Sequence, residues 1–221
     1  MKVLDLFSGL GGWSQAFRDR GHEVITVDIE KKFNPDICKD IMSLESSDFK
    51  EKFDVILASP PCNCFSVASI YRHWDKRTKK PKDKETIESI NLVRHTLELI
   101  EKMKPTFWIL ENPVGMLRKQ WFLMPYERKT ISQCQYGRSI MKPTDLWGRF
   151  PSSFIAKRCR PGNLDHEKAS RGSKNGLQGI NNSFSNLGMR GKDERAKIPY
   201  GLSLEICLAC EKEIKVTENA S

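Results

Sequence analysis

Four short apolar runs, each broken off by glycine, proline or an acid, constrain this chain more than any other feature. Residues 2–7 (KVLDLF), 23–28 (EVITVD), 53–58 (FDVILA) and 106–110 (TFWIL) are strand-length and rich in Val, Ile, Leu and Phe. That is the pattern of strands buried on both faces. Helical patterns lie between them. Residues 13–20 follow Gly11-Gly12 and stop at Gly21, a C-cap position. Ile87, Ile90, Leu97 and Ile100 fall on one face of a helix over 86–103, which Lys104-Pro105 ends. The alternation predicts an α/β fold: a mostly parallel sheet with helices on both faces. Residues 199–210 regain helical spacing through Leu202, Ile206 and Leu208, with fraying expected beyond residue 215.

A chain of 221 residues is one domain, or one with a small lobe. Its 37 basic and 28 acidic residues leave a net charge of +9, which favours a polyanionic partner, nucleic acid first. No stretch approaches the ~20 apolar residues of a spanning helix, and no cleavable leader is visible, so a cytoplasmic protein is expected. There the seven cysteines are read as reduced thiols. Cys207 and Cys210 share a helical face without a second Cys or His pair at zinc spacing, so core packing is expected and no metal. His22, His73, His95 and His166 are given no task.

The strand ends carry the chemistry. The turn Ser8-Gly9-Leu10-Gly11-Gly12 enters a helix, and glycine lets backbone approach a ligand where a Cβ would collide. Its spacing fits neither a dinucleotide fingerprint nor a triphosphate loop. Asp28 ends the second strand, where a carboxylate can accept ribose hydroxyls; Asp40 precedes the third and can accept from an adenine amine. The third strand leaves through Ser59-Pro60-Pro61-Cys62-Asn63-Cys64. Two prolines stiffen the turn and hold Cys62 at the mouth of a site, with Cys64 the competing thiol. The fourth strand leaves through Glu111-Asn112-Pro113, and a Glu emerging from an apolar run is expected to keep its proton more tightly. Residues 67–84 place Arg72, Lys76, Arg77 and further lysines around Tyr71 and Trp74, in the position where α/β sheets build their sites.

At these residues the sequence resembles the DNA (cytosine-5) methyltransferases. DLFSGLGGW (5–13) is similar to their cofactor turn, PPCNCFS (60–66) to their Pro-Cys loop, ENP (111–113) to their Glu-Asn loop and QYGRSIMKPTDLWG (135–148) to their later Tyr-Gly segment. IPYGLSLEI (198–206) is a looser match to the closing helix. The compact layout is like that of phage and prophage members. The resemblance implies a Rossmann-like methyltransferase fold using S-adenosylmethionine. It implies a cofactor-binding set of Asp5, Phe7, Ser8, Gly9, Gly11, Gly12, Asp28, Ile29, Asp40, Ile41 and Pro60, with Asp28 on the ribose and Asp40 on the adenine amine. It implies Cys62 as nucleophile, Glu111 on the cytosine ring nitrogen, Asn112 bracing the loops, and Arg138 or Lys142 near the base. Ser66, Tyr71, Arg72, Trp74, Lys76, Arg77 and Lys142 are the residues expected to meet DNA, which must present a flipped cytosine.

Asn63 and Pro113 stand where the family usually has Gln and Val. The chain divides into a catalytic part (1–148), a short recognition region (149–197) and a closing helix (198–215). That region is brief for the family, so low sequence specificity, or a protein partner that supplies it, is expected of a monomeric enzyme. Rival readings are an amino methyltransferase, whose Ser-Pro-Pro-aromatic loop Cys62 breaks; transfer of a modified one-carbon group; and a non-catalytic nucleic-acid-binding module. Single-stranded DNA, RNA and a free nucleotide also remain open as substrates.

Overall fold

The structure is a computed structural model that describes residues 1–160 and 191–219. One seven-stranded sheet organises it, in the order β3-β2-β1-β4-β5-β7-β6. The strands are β1 (Lys2–Leu6), β2 (Glu23–Asp28), β3 (Ile37–Cys38), β4 (Val55–Ala58), β5 (Phe107–Pro113), β6 (Glu127–Ser132) and β7 (Pro143–Arg149). All pairings from β3 to β5 are parallel; β7 runs antiparallel to both its neighbours. This is the mostly parallel Rossmann-like α/β architecture expected from the alternating pattern.

Strand alternation assigns the two faces. Leu4, Leu6, Ile56, Ala58 and Leu110 pack beneath helix α3 (Lys84–Met103) through Val93, Leu97 and Ile100. Val3, Val55, Leu57 and Ile109 point the other way, into a second core with Phe17 of α1 (Ser14–Asp19) and Leu202 and Ile206 of α5 (Tyr200–Asn219). Two short helices, α2 (Ile70–His73) and α4 (Gly191–Ala196), lie outside these layers. Asp83 caps α3 by accepting the Thr86 amide (2.8 Å), and Lys104, in the left-handed region at φ 49°, ends it. Cys207 and Cys210 are buried in the second core, and burial pushes the Cys207 thiol up to about 12. Among the described residues no helix is long and apolar enough to cross a membrane.

The structure departs from the sequence reading in three places. The fourth predicted strand runs on through Glu111 and Asn112, because β7 continues the ladder with Glu111↔Leu146 and Asn112↔Asp145. β6 (ERKTIS) has little apolar periodicity; it is a strand because β7 pairs with it and because Thr130 donates to buried Asp145 (2.7 Å). The closing helix extends past the expected fraying point to Asn219. Most of the expected recognition region, residues 161–190, lies outside the described residues.

The lead-in to α5 lies directly on the first turn. A Cβ on Gly12 would stand 2.5 Å from the Ile198 amide nitrogen. Neither backbone can yield cheaply, so Gly12→Ala is expected to cost about 1–3 kcal/mol, as overpacking does. Chemical denaturation should show this as a lower midpoint with an unchanged slope.

Candidate active site

Every chemistry-bearing turn of the sequence lies on one edge of the sheet. β1, β2, β4 and β5 are parallel, so their carboxyl ends gather there. Antiparallel β7 begins where β5 ends, so the 133–142 connection reaches the same edge.

At the glycine turn, Phe7, Gly9 and Gly11 all have positive φ (62°, 49° and 68°). That strain at Phe7 is held by its surroundings: the Ser8 amide donates to the Val27 carbonyl (3.1 Å) and the Gly9 amide to Asp28 Oδ2 (2.8 Å). Asp28 Oδ1 accepts the Glu30 amide (2.8 Å). Asp28 therefore first clamps the turn to β2, and each oxygen keeps one lone pair for a ligand hydroxyl. Gly9 has open space where its Cβ would be, whereas Gly12 is demanded by the Ile198 backbone. Gly12 meets that backbone and still lines the cleft beside it. Phe7, Gly9, Trp13, Ser59, Lys197 and Ile198 line a cleft of about 130 Å³. One wall is α4, fastened by the Lys32–Asp193 ion pair (3.1 Å).

The remaining cofactor candidates divide by exposure. Ile29 is exposed and Ile41 is buried in the core, where only its backbone can meet a ligand. Asp40 is exposed and caps a 3-10 turn by accepting the Met42 amide (2.9 Å). Asp5 is fully buried, and neither of its oxygens accepts a hydrogen bond among the described residues. The adjacent Ser14 hydroxyl is turned to the Gly11 carbonyl (3.4 Å). Burial raises the Asp5 carboxyl from 3.8 to about 7, against the pull of Ser14 and Arg18.

The Pro-Cys loop is tied at both ends. Asn112 Nδ2 donates to the Pro60 carbonyl (2.9 Å), and the Met116 amide to the Phe65 carbonyl (2.7 Å). Gly115 permits the second contact, since a Cβ there would lie 2.0 Å from that carbonyl oxygen. The two thiols separate cleanly: Cys62 is half-buried, and Cys64, 1% exposed, sits in the core under α3.

Glu111 is 4% exposed and its Oε1 has no partner among the described residues. Burial pushes its carboxyl up; the Lys142 and Arg138 cations and the Ser59 hydroxyl oppose this only in part. Ser59 itself accepts the Trp13 indole N–H (2.8 Å), coupling the glycine turn to the reactive loop. Lys142 feels both Glu111 and Cys62, and burial lowers its ammonium pKa. The Arg138 guanidinium donates to the carbonyls of Glu194, Arg195 and Lys197 at the end of α4, and Lys142 Nζ donates to the same Arg195 carbonyl (2.9 Å). Both cations act on Glu111, and Lys142 acts on Cys62 as well.

One nucleic-acid candidate is corrected. Trp74 is 1% exposed and spends its indole N–H on the Cys64 carbonyl (2.6 Å), so it cannot stack on a base. Tyr71, Arg72, Lys76 and Arg77 are exposed, with Lys76 Nζ 4.3 Å above the Tyr71 ring; Ser66 is half-buried. Sequence reasoning missed Trp13, Ser59 and the Arg118–Asp145 pair (2.6 Å) that braces β7 behind the site.

Because the folded chain favours protonated Asp5, the stability this group lends is present at low pH and is lost as pH rises from 3.8 through about 7. Asp5→Asn should therefore gain stability over the wild type between about pH 5 and about pH 7, with no further gain above. Denaturant unfolding at a series of pH values measures it.

Comparisons with known proteins place the chain in a family. Residues 1–122 match the family described as C-5 cytosine-specific DNA methylase. A Frog virus 3 protein named "Probable DNA (cytosine-5)-methyltransferase" is 30% identical over 171 residues, 72% of this chain and 75% of that one. The type II methyltransferase M.DdeI of Desulfomicrobium norvegicum is 27% identical over 148 residues, 60% of this chain and 32% of that one. Among solved structures, the Entamoeba histolytica methyltransferase EhMeth superposes with a TM-score of 0.49 at 16% identity, over 72% of this chain and 57% of that one. The chain thus spans three quarters of the viral relative but about a third of the bacterial one. The chain belongs to the C-5 cytosine-specific DNA methylases.

Proposed function

We propose that this chain transfers a methyl group from S-adenosylmethionine to C5 of cytosine in DNA, through a transient bond between Cys62 Sγ and C6 of the base. The observation that carries the reading is the separation of the paired thiols: Cys64 is locked in the core, while half-buried Cys62 shares the field of Lys142 with buried Glu111.

The residues present fit the cofactor. Gly9 leaves open space at the turn, Asp28 keeps acceptor capacity beside it, and Asp5 is a buried carboxylate without a hydrogen-bond partner among the described residues. Phe7, Ser8, Gly9, Gly11, Asp28 and Ile29 would hold its adenosine and methionine parts, with Asp40, the Ile41 backbone and Pro60 at the adenine side. The cleft beside the turn has a volume of about 130 Å³ and is walled on one side by α4. When bound, the cofactor supplies an electrophilic methyl on a sulfonium.

The chain's own groups do the rest. C5 of cytosine is too weak a nucleophile to attack that methyl unaided. The Lys142 charge favours the Cys62 thiolate, which adds to C6 and makes C5 enamine-like. Protonated Glu111 donates to N3, where the displaced electrons collect. Once C5 carries the methyl, its proton passes to water in the crevice, the C–H pair re-forms the C5–C6 double bond, and Cys62 leaves as thiolate. Asn112 keeps the two loops in register by its bond to Pro60. A duplex hides C6, so the cytosine is flipped out at roughly a few kcal/mol. Exposed Arg72, Lys76 and Arg77 would neutralise phosphates, with Tyr71 and Ser66 at the loop's base.

Two measurements decide. DNA containing 5-fluorocytosine should trap the chain as a denaturation-stable adduct, which an amino methyltransferase or a binding module would not give. Cys62→Ser should abolish trapping and turnover while retaining cofactor binding. Cys64→Ser should still be trapped; the reverse result overturns the assignment. Glu111→Gln should lower kcat by about 10²–10⁴, the range of a lost acid catalyst.

A further inference from the structure

We propose that Cys64, His73 and Glu85 bind one transition-metal ion, Zn²⁺ by preference, which fastens the Pro-Cys loop and α2 to the first turn of α3. One ligand atom from each residue lies within 4.8 Å of the other two. Tetrahedral zinc with bonds of ~2.0–2.3 Å needs its ligand atoms ~3.3–3.8 Å apart. Glu85, the exposed member, is the ligand with room to adjust.

The supporting geometry is that of a metal site. Asp83 Oδ2 lies 2.9 Å from His73 Nδ1. A carboxylate in that position keeps the proton on Nδ1, orients the ring and leaves the Nε2 lone pair for a metal. Among the described residues Cys64 Sγ receives the Ser89 hydroxyl (3.4 Å). Its backbone is fixed by the Trp74 indole. Nearby lysines are occupied: Lys82 donates to the Tyr71 carbonyl (2.9 Å) and Lys84 pairs with Glu88 (3.3 Å). A thiolate and a carboxylate cancel the charge of a divalent ion, and binding releases the thiol proton. The mixed sulfur, nitrogen and oxygen set suits zinc or cobalt rather than magnesium or calcium.

The second such cluster, His22, Cys207 and Glu211, is unsuitable. The Arg20 guanidinium already holds both Glu211 oxygens at 2.7 Å, so a cation would have to displace it.

Metal uptake by the full chain is the test, and it does not depend on methyl transfer. The metal-free protein should take up one equivalent of Zn²⁺ and melt at a higher temperature. Co²⁺ should give a thiolate charge-transfer band that Cys64→Ser removes. Asp83→Asn keeps a good α3 cap, since Asn caps helices as well as Asp, yet should weaken affinity about 10–100-fold. Should Cys64→Ser fail to fold, Glu85→Gln at the exposed ligand is read instead and should also bind more weakly. Absence of stoichiometric uptake overturns the proposal. So does a cobalt band that survives Cys64→Ser but vanishes in Cys207→Ser.

Discussion

A single bond between two loops, from the Asn112 amide to the Pro60 carbonyl, sets the geometry on which the rest of the crevice depends. Asn112 is fully buried within β5, so its side chain has little freedom, and the prolines transmit that fixity to Cys62. The Gly115–Phe65 approach closes the other end of the loop. A thiol on an ordinary flexible connection would lose much of its alignment. Here the loop is spanned by two fixed points on one neighbouring strand and the turn that follows it.

The electrostatics follow from that packing. β7 lengthens β5, which buries Glu111 inside the ladder instead of leaving it at a solvated strand end. Burial favours its neutral form and lowers the charge preference of Lys142, while each group opposes the other's shift. The pair therefore shares a few charge states whose balance a planar ligand between them would change. Arg138 stands behind as an anchor for α4, so the cofactor cleft and the reactive crevice share a wall.

Much of this was legible in the sequence because the parallel strands are continuous apolar runs and each ends in a residue with evident chemistry. DLF, PPC and ENP could be placed at one edge from topology alone. The rest depends on long-range pairing, which local pattern does not encode. β6 carries Glu127, Arg128 and Lys129 and is a strand only beside β7. Nothing local reveals that Ile198 comes to rest on Gly12. Trp74 read as a surface aromatic among basic residues, yet the short α2 turn carries it inward. The anchoring of α4 by Arg138 is not legible locally because that helix end lies far along the chain.

The seating of Ile198 on the first turn also orders events at the ribosome. β1 and its glycine turn precede α4 and α5 along the chain, so the cleft lacks one wall until residues 193–198 follow, and α1 lacks its packing partner until α5 does. Vectorial folding can thus lay down β1, β2 and β4 early, while ligand capture waits for the C-terminal helix. The cleft beside the glycine turn is therefore complete only once two segments far apart in the sequence have met.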